Sequence, residues 1–183
     1  MAIDVYVDSL ANVLGEVAVA VKQEMVSAGF DVARLHRKTG FETVFHVAVD
    51  QPSFHLANEA VTRSVRDHSW LPSRLDALVV VSSFFPRGPG PGYVLADNLG
   101  LSSDTTITHL QDACTGFLSG LEYSESLIEV GLADNVLLIT CDEYSRILQE
   151  GSSSQFLFSD AASAFLVTRE RTVQPVASRR WKR

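Results

Sequence analysis

The chain has 183 residues, of which 46% are hydrophobic and 20% are charged, a composition that is typical of a globular protein and excludes a disordered or fibrous one. Its formal net charge is -7, although four of its 15 Lys and Arg residues lie in the last five positions. The acidic remainder would repel a phosphate backbone, which argues against a nucleic-acid-binding protein.

Three kinds of segment are predicted in the first 49 residues. Alternating apolar residues at 3–7 indicate a strand, and apolar residues at helical spacing over 10–28 predict a helix that ends at Gly29. The polar, locally basic residues 31–40 are typical of a loop. Alternation over residues 43–49 indicates a strand in a hairpin arm.

The middle of the chain alternates predicted helices and strands. Ser53 is expected to cap a helix that ends near Trp70. Residues 78–81 are continuously apolar, as in a parallel strand covered on both faces. The Pro- and Gly-rich residues 84–92 predict a loop, and residues 93–99 predict a short helix closed by the glycine that follows.

The alternation continues with a strand at 105–110, a helix at 114–130 that stops at Gly131, and a strand at 135–141. Strands at 155–159 and 163–168, separated by a turn at Asp160, predict a hairpin at the edge of the sheet. The simplest organisation is one α/β domain over residues 1–170, followed by a basic tail over residues 171–183.

Cys114 occupies the point where a buried strand turns directly into a helix, in the segment LQDACTGF at residues 110–117. The free N–H groups and positive dipole end of a helix N-terminus favour a thiolate and can form part of an oxyanion hole. A free cysteine is, however, often a small buried residue at a tight packing point. The position alone leaves the nucleophilic and the structural interpretations equally open.

Few other residues suggest chemistry. Cys141 ends a strand, where a small buried side chain is expected, and the five histidines lack metal-ligand spacing. His109 precedes the Cys114 segment, but its face of the strand is undetermined. No phosphate-loop, dinucleotide, zinc-protease or serine-hydrolase motif occurs. Because the first ten residues lack a signal-peptide pattern and no apolar run could cross a bilayer, we expect a cytoplasmic protein.

Several segments resemble the ketoacyl-ACP synthase III enzymes of the thiolase superfamily. DACTGF at residues 112–117 resembles their nucleophile motif, and KTG at residues 38–40 is similar to their Arg-Thr-Gly at the coenzyme A entrance. FSDAASA at residues 158–164 is similar to their Phe-Gly-Asp-Gly-Ala-Gly-Ala hairpin. The likeness covers nearly the whole chain but only the N-terminal half of such an enzyme. The family's second half, with its catalytic His and Asn, has no counterpart after Arg169.

The resemblance implies a single thiolase-like half with a five-stranded mixed sheet and helices on both faces, in which Asp160 holds the hairpin. It also implies that Cys114 accepts an acyl group from a thioester. Lys38 and Arg37 would bind the phosphates of coenzyme A or phosphopantetheine, whose thioesters are substrates rather than resident cofactors. No metal is expected.

The missing half implies a partner, because a lone half would expose an apolar face. A complementary chain carrying His and Asn, or self-association through the face of the nucleophile helix, would complete the site for acyl transfer or decarboxylative condensation. Two alternatives stay open. One is an acyltransferase or thioesterase without decarboxylation, and the other is a non-catalytic scaffold subunit of a condensing-enzyme complex.

Overall fold

The computed structural model describes residues 4–22, 31–85, 90–149, 152–170 and 177–180. The strands in these ranges are β1 (Asp4–Leu14), β2 (Val17–Ala20), β3 (Thr43–His46), β4 (Ala77–Val81), β5 (Thr106–Leu110), β6 (Asn135–Asp142), β7 (Ala161–Thr168) and β8 (Ala177–Arg180). The α-helices are α1 (Val32–Thr39), α2 (His55–His68), α3 (Pro91–Leu99) and α4 (Gly116–Glu129). Within the same ranges, no helix is long and apolar enough to cross a bilayer.

A mixed sheet with the strand order β5-β4-β6-β7-β1-β8 forms the centre of the structure. β4 pairs in parallel with β5 and β6, whereas β7 pairs antiparallel with both β6 and β1. The predicted five-stranded mixed sheet is confirmed for the strands from β5 to β1. β8 adds a sixth strand, antiparallel to β1, from within the segment predicted to be a tail. β2 and β3 form a separate antiparallel pair.

Helices cover both faces of the sheet, as predicted. α2 and α3 pack on one face, where Leu78 and Val80 lie in the same apolar cluster as Leu56 and Leu95. α4 packs on the other face through Ile128, together with alternate residues of β4 and β6. All five residues of β4 are buried, because a parallel strand between two helix layers has no solvent-facing side.

The predicted helix over residues 10–28 is wrong in the described residues, which form β1 and β2. Ala11 and Val13 are buried while Asn12 and Leu14 are exposed, so the burial follows a period of two. Pairing with β7 along its length overrides the helix-like spacing of the larger apolar residues. Residues 23–30, including the predicted helix end at Gly29, lie outside the described residues.

The loop predicted at residues 31–40 is also wrong, because this segment contains α1. The carboxylate of Asp31 accepts a hydrogen bond from the Arg34 N–H at 2.9 Å, which caps the helix, and Gly40 ends it with a φ of 72°. Only Val32 and Leu35 of this helix are buried. An apolar stripe of two residues is too short to reveal a helix in a polar stretch.

Two further corrections concern α2 and the segment before β7. The residue before α2 in cap position is Phe54, with a left-handed φ of 61° and no side-chain cap, rather than Ser53. Residues 153–156 form a 3-10 turn instead of the predicted strand at 155–159, and Phe156 is buried against α1. β7 is therefore an interior strand between β6 and β1, not half of an edge hairpin.

Candidate functional site

Cys114 lies between β5 and α4, in a 3-10 turn at Ala113–Thr115 that leads directly into the helix. The thiol-bearing residue is exposed, which disagrees with a buried packing role. Ala113 has a φ of 40°, a left-handed conformation that costs a non-glycine residue roughly 1–2 kcal/mol. A strained residue at this point makes the strand-to-helix turn sharp and holds the next side chain clear of the sheet.

Two glycines place α4 close to the central strands. A Cβ added at Gly116 would lie 2.6 Å from Cγ1 of Val81, and one added at Gly120 would lie 2.7 Å from Cδ1 of Leu138 and from Cγ2 of Val81. Because these glycines lie one helical turn apart, they form a narrow stripe on which the helix contacts β4 and β6. This contact sets the height of the α4 N-terminus, and therefore of Cys114, above the sheet.

Replacing Gly120 with alanine is expected to destabilise the chain by about 1 kcal/mol. Overpacking against Leu138 and Val81 costs about 1–3 kcal/mol, and the better helix propensity of alanine returns about 1 kcal/mol of that. Urea denaturation would measure the change. Glu122→Ala, at an exposed position of the same helix, is the matched control and should change stability by less than about 0.5 kcal/mol. A Gly120→Ala variant more stable than the wild type would contradict this packing.

Asp112 stabilises the turn on which Cys114 lies. Its carboxylate accepts hydrogen bonds from Oγ of Ser119 and, at 2.9 Å, from Oγ1 of Thr115. These hydrogen bonds, the one from Ser119 first, lower the pKa of the Asp112 carboxyl below its usual range. A negative charge therefore lies two residues before the thiol, where it partly offsets the positive dipole end of α4. Asp112 is the first residue of the DACTGF segment, but nothing in the sequence marks its carboxylate as a support for the turn.

A cleft of about 390 Å³ opens beside Cys114, at the carboxyl ends of β4 and β6 and the start of β7. Ser83, Thr140 and Ser163 contribute polar groups to its lining. On another side Tyr144 stacks on Phe158, with ring centroids 4.4 Å apart and the planes 20° apart. The cleft thus presents an aromatic wall and hydroxyl groups within reach of one exposed thiol-bearing residue.

Asp142 joins the ends of two strands below the cleft. It accepts hydrogen bonds from the Ser83 N–H at 2.7 Å, from the Ser83 hydroxyl at 3.2 Å and from the Ser82 hydroxyl at 3.1 Å. The carboxylate thus accepts three hydrogen bonds from the two residues that follow β4, and it helps to hold Ser83 at the cleft wall.

Asp160 is fully buried and connects three separate segments. Its carboxylate accepts hydrogen bonds from the Val47 N–H at 2.8 Å, from the Ser145 N–H at 2.9 Å and from the Ser145 hydroxyl. Its backbone N–H donates to the carbonyl of Phe45 at 2.7 Å. Asp160 therefore holds the turn before β7, and with it the Phe158 wall, against β3 and the segment after β6.

Lys38 and Arg37 lie in the exposed last turn of α1. A guanidinium nitrogen of Arg37 lies 3.9 Å from the carboxylate of Asp31, an exposed pair that is worth little to stability. The cleft lining in the described part of the chain includes no residue of α1. The helix does pack against Phe156, which lies two residues before Phe158 of the aromatic wall. The two cations are thus on a neighbouring surface rather than in the cleft.

Cys141 borders the same cleft but is buried, whereas His109 lies on the other face of the sheet. Cys141 is 2% exposed, and burial raises the pKa of its thiol well above the usual value. On β5, Thr108 and Leu110 face α4, whereas His109 faces α3, on the opposite side of the sheet. Across the described ranges, no three His, Cys, Asp or Glu side chains are grouped as metal ligands would be.

Comparison with known proteins gives a consistent set of relatives. A family profile described as 3-oxoacyl-[acyl-carrier-protein (ACP)] synthase III matches residues 109–181. The β-ketoacyl-[acyl-carrier-protein] synthase III of Campylobacter fetus is 32% identical over 136 residues, which cover 72% of this chain and 40% of that protein.

Solved structures agree with this match. A 3-oxoacyl-(acyl-carrier protein) synthase from Burkholderia xenovorans LB400 superposes with a TM-score of 0.84 at 20% identity, covering 94% of this chain and 51% of the other. The 3-oxoacyl-(acyl carrier protein) synthase III of Pseudomonas aeruginosa PAO1 gives a TM-score of 0.78 at 29% identity, covering 93% and 53%. The chain therefore spans about half the length of the proteins that it matches.

Proposed function

The chain corresponds to the N-terminal half of a ketoacyl-ACP synthase III-like protein of the thiolase superfamily, and from this premise we propose that Cys114 accepts an acyl group from a thioester. The observation that carries the proposal is the placement of this one exposed cysteine, on a strained turn at the N-terminus of α4 and beside the cleft. The finer assignments below rest on the same placement.

The proposed step is an acyl transfer between two sulfur atoms. The Cys114 thiolate attacks the carbonyl carbon of an acyl thioester, a bond forms from Sγ to that carbon, and the donor thiolate leaves and takes up a proton. The oxyanion would develop near the N-terminus of α4, where the helix dipole favours negative charge. The Tyr144 and Phe158 wall offers an apolar surface to the acyl chain.

Donor recognition is proposed to involve α1. The thioesters of coenzyme A and of phosphopantetheine carry phosphate groups, which Lys38 and Arg37 would attract on the surface next to the aromatic wall. The whole chain is acidic, with a net charge of -7, so a local cluster of cations is the place where an anionic donor would dock. No permanently bound cofactor is required for this step.

The second step, in which the acyl group is transferred or condensed, needs the His and Asn for which this chain shows no counterpart. The outer surface of α4 and the residues that follow it expose Leu118 at 59% and Leu132 at 74%, with Phe117 also exposed. An apolar surface of this kind is commonly covered by a partner. We place there a complementary chain that supplies His and Asn, so that the acyl group on Cys114 is transferred or condensed with a decarboxylating acceptor.

Intact-protein mass spectrometry after incubation with acyl-coenzyme A and acyl-carrier thioesters tests the proposal. We expect one acyl adduct on the wild type and on Cys141→Ala, the control for the buried thiol, and no adduct on Cys114→Ala. Addition of malonyl and non-malonyl acceptors would then separate condensation from simple acyl transfer or hydrolysis.

The opposite results are equally informative. An adduct that persists on Cys114→Ala would exclude Cys114 as the acyl acceptor. If no adduct forms on the wild type, either alone or with its co-purified partner, the chain is a non-catalytic scaffold subunit.

A further inference from the structure

His109 makes one specific hydrogen bond on the face of the sheet opposite α4. The Gly92 N–H, in the first turn of α3, donates to Nε2 of the imidazole at 3.0 Å. An Nε2 atom that accepts carries no proton, so the ring is neutral and its proton is on Nδ1. The Phe85 ring meets the imidazole edge-on at 5.4 Å, and the Tyr93 ring lies at 5.7 Å.

The glycines at the start of α3 are shaped around this imidazole. A Cβ added at Gly90 would lie 2.6 Å from Cε1 and Nε2 of His109, and one added at Gly92 would lie 2.9 Å from Nε2. The ring therefore restricts Gly90, and at Gly92 it acts together with Cγ2 of Ile107, which would lie 2.7 Å from the added Cβ. This contact accounts for the glycines of Gly90-Pro91-Gly92 at the end of the Pro- and Gly-rich segment.

The same part of the chain touches the cleft. Ser83, two residues before Phe85, lines the cleft, and its carbonyl accepts a hydrogen bond from Nε2 of Gln111 at 2.9 Å. Gln111 is two residues after His109, so the end of β5 holds both flanks of the connection between β4 and α3. One flank is residues 82–85 and the other is residues 90–92.

We propose that neutral His109 is a positioning residue for the Cys114 cleft, which holds both flanks of the β4–α3 connection and thereby keeps Ser83 in the cleft wall. The relevance to acyl transfer rests on the proposed function, whereas the positioning itself does not. Protonation at Nε2 would place an N–H against the Gly92 N–H, two donors facing each other, and so release the start of α3.

The surroundings of the ring keep it neutral near pH 7. Burial lowers the pKa of His109 below its usual value. Tyr93 of α3 is the titratable group among the described residues in contact with the ring. Neither β4 (Ala77–Val81) nor residues 82–85 contribute a charge. Because the unfolded chain binds this proton more readily, the free energy of unfolding should fall as the pH drops below about 6.5 and level off below the pKa of the folded state.

Two variants distinguish the role of His109 as a hydrogen-bond acceptor for Gly92 from the role of its ring contacts. His109→Gln can keep an acceptor for Gly92 but does not titrate, and His109→Phe keeps the aromatic contacts without an acceptor. Hydrogen exchange of residues 90–99, corrected for intrinsic rates, should show about a tenfold loss of protection in the wild type between pH 7 and pH 5. His109→Gln should keep its protection at both pH values, and His109→Phe should lack it at both.

The second measurement is the rate at which dithiodipyridine modifies Cys114. A role of His109 confined to the stability of α3 would not change this rate. We expect the ratio of the wild-type rate to the His109→Gln rate to change with the same midpoint as the hydrogen exchange. Identical pH profiles in the wild type and His109→Gln would overturn the proposal, and so would exchange that changes without any change at Cys114. The reagent is not an acyl donor, so this result is independent of whether Cys114 accepts acyl groups.

Discussion

Iodoacetamide added to the folded chain should label Cys114 and leave Cys141 unmodified. Cys114 is exposed, whereas Cys141 is 2% exposed in the core and its thiol has a raised pKa. A buried core thiol reacts only when the structure around it opens, which costs up to the full stability of the chain. With at least about 5 kcal/mol for that opening, Cys141 should react about 10³-fold or more slowly than an accessible thiol.

Peptide mapping by mass spectrometry after timed labelling would measure both rates in one sample. Cys114→Ala is the matched variant, since it isolates the slow reaction of Cys141. In that variant the labelling rate should rise steeply with urea, reaching the rate of a free thiol once the chain unfolds. Equal labelling of both cysteines in buffer would mean that the β6 end of the core is open and that the cleft geometry is wrong.

Asp160→Ala should lower the free energy of unfolding by about 3–5 kcal/mol. The substitution removes the acceptor of the buried Val47 N–H and of the partly buried Ser145 N–H, and an unsatisfied buried group costs about 1–3 kcal/mol. It also detaches the turn before β7 from the segment after β6. A loss of this size is a large part of the stability of a typical domain.

Urea denaturation of three variants would test how the loss arises. Asp160→Asn keeps one acceptor oxygen and should fall between the wild type and Asp160→Ala. Ser159→Ala removes only the hydroxyl that accepts from the Phe45 N–H at 3.1 Å, and should cost about 1 kcal/mol. If Asp160→Ala is no less stable than Ser159→Ala, the hydrogen bonds that Asp160 makes to the other segments contribute less to the free energy of unfolding than their burial indicates.

The central strands and their helices are predictable because local and tertiary preferences agree there. β4 is buried on both faces, so its apolar run identifies it without a partner being known. The ends of α3 and α4 are marked by Gly100 and Gly131, both with positive φ values, where glycine is the residue that the backbone conformation favours.

The N-terminal third is less predictable because its structure depends on distant residues. The strand character of β1 comes from β7, and its regular alternation is interrupted by a register shift between Val7 and Ser9. A bulge of this kind breaks the period of two on which strand prediction rests. For α1 the local signals did exist, an aspartate cap and a terminal glycine, but the high polarity of the segment obscured them.

The candidate site is predictable in its centre but not in its supports. A cysteine at a strand-to-helix junction is visible in the sequence, and so is the small-residue character of the helix that follows. Asp142 is not, because it accepts from a donor 59 residues away along the chain. Asp160 is marked at its turn by the family resemblance, but its bond to Val47, 113 residues away, has no local signal. The left-handed conformation of Ala113 has no sequence signal, since alanine rarely adopts it.

The position of β1 has a consequence for how the protein is made. β4, β5 and β6 are joined by short helical crossovers, so this parallel core can form from one contiguous stretch of chain. β1, in contrast, pairs Tyr6 with Thr168 and Leu14 with Ala161, so it has no partner until β7 has been synthesised. At 5–20 residues per second the ribosome needs roughly 10–30 s to span that gap. During this time Val5, Ala11 and Val13 are unpaired, and we expect the nascent chain to depend on chaperones most at its first strand.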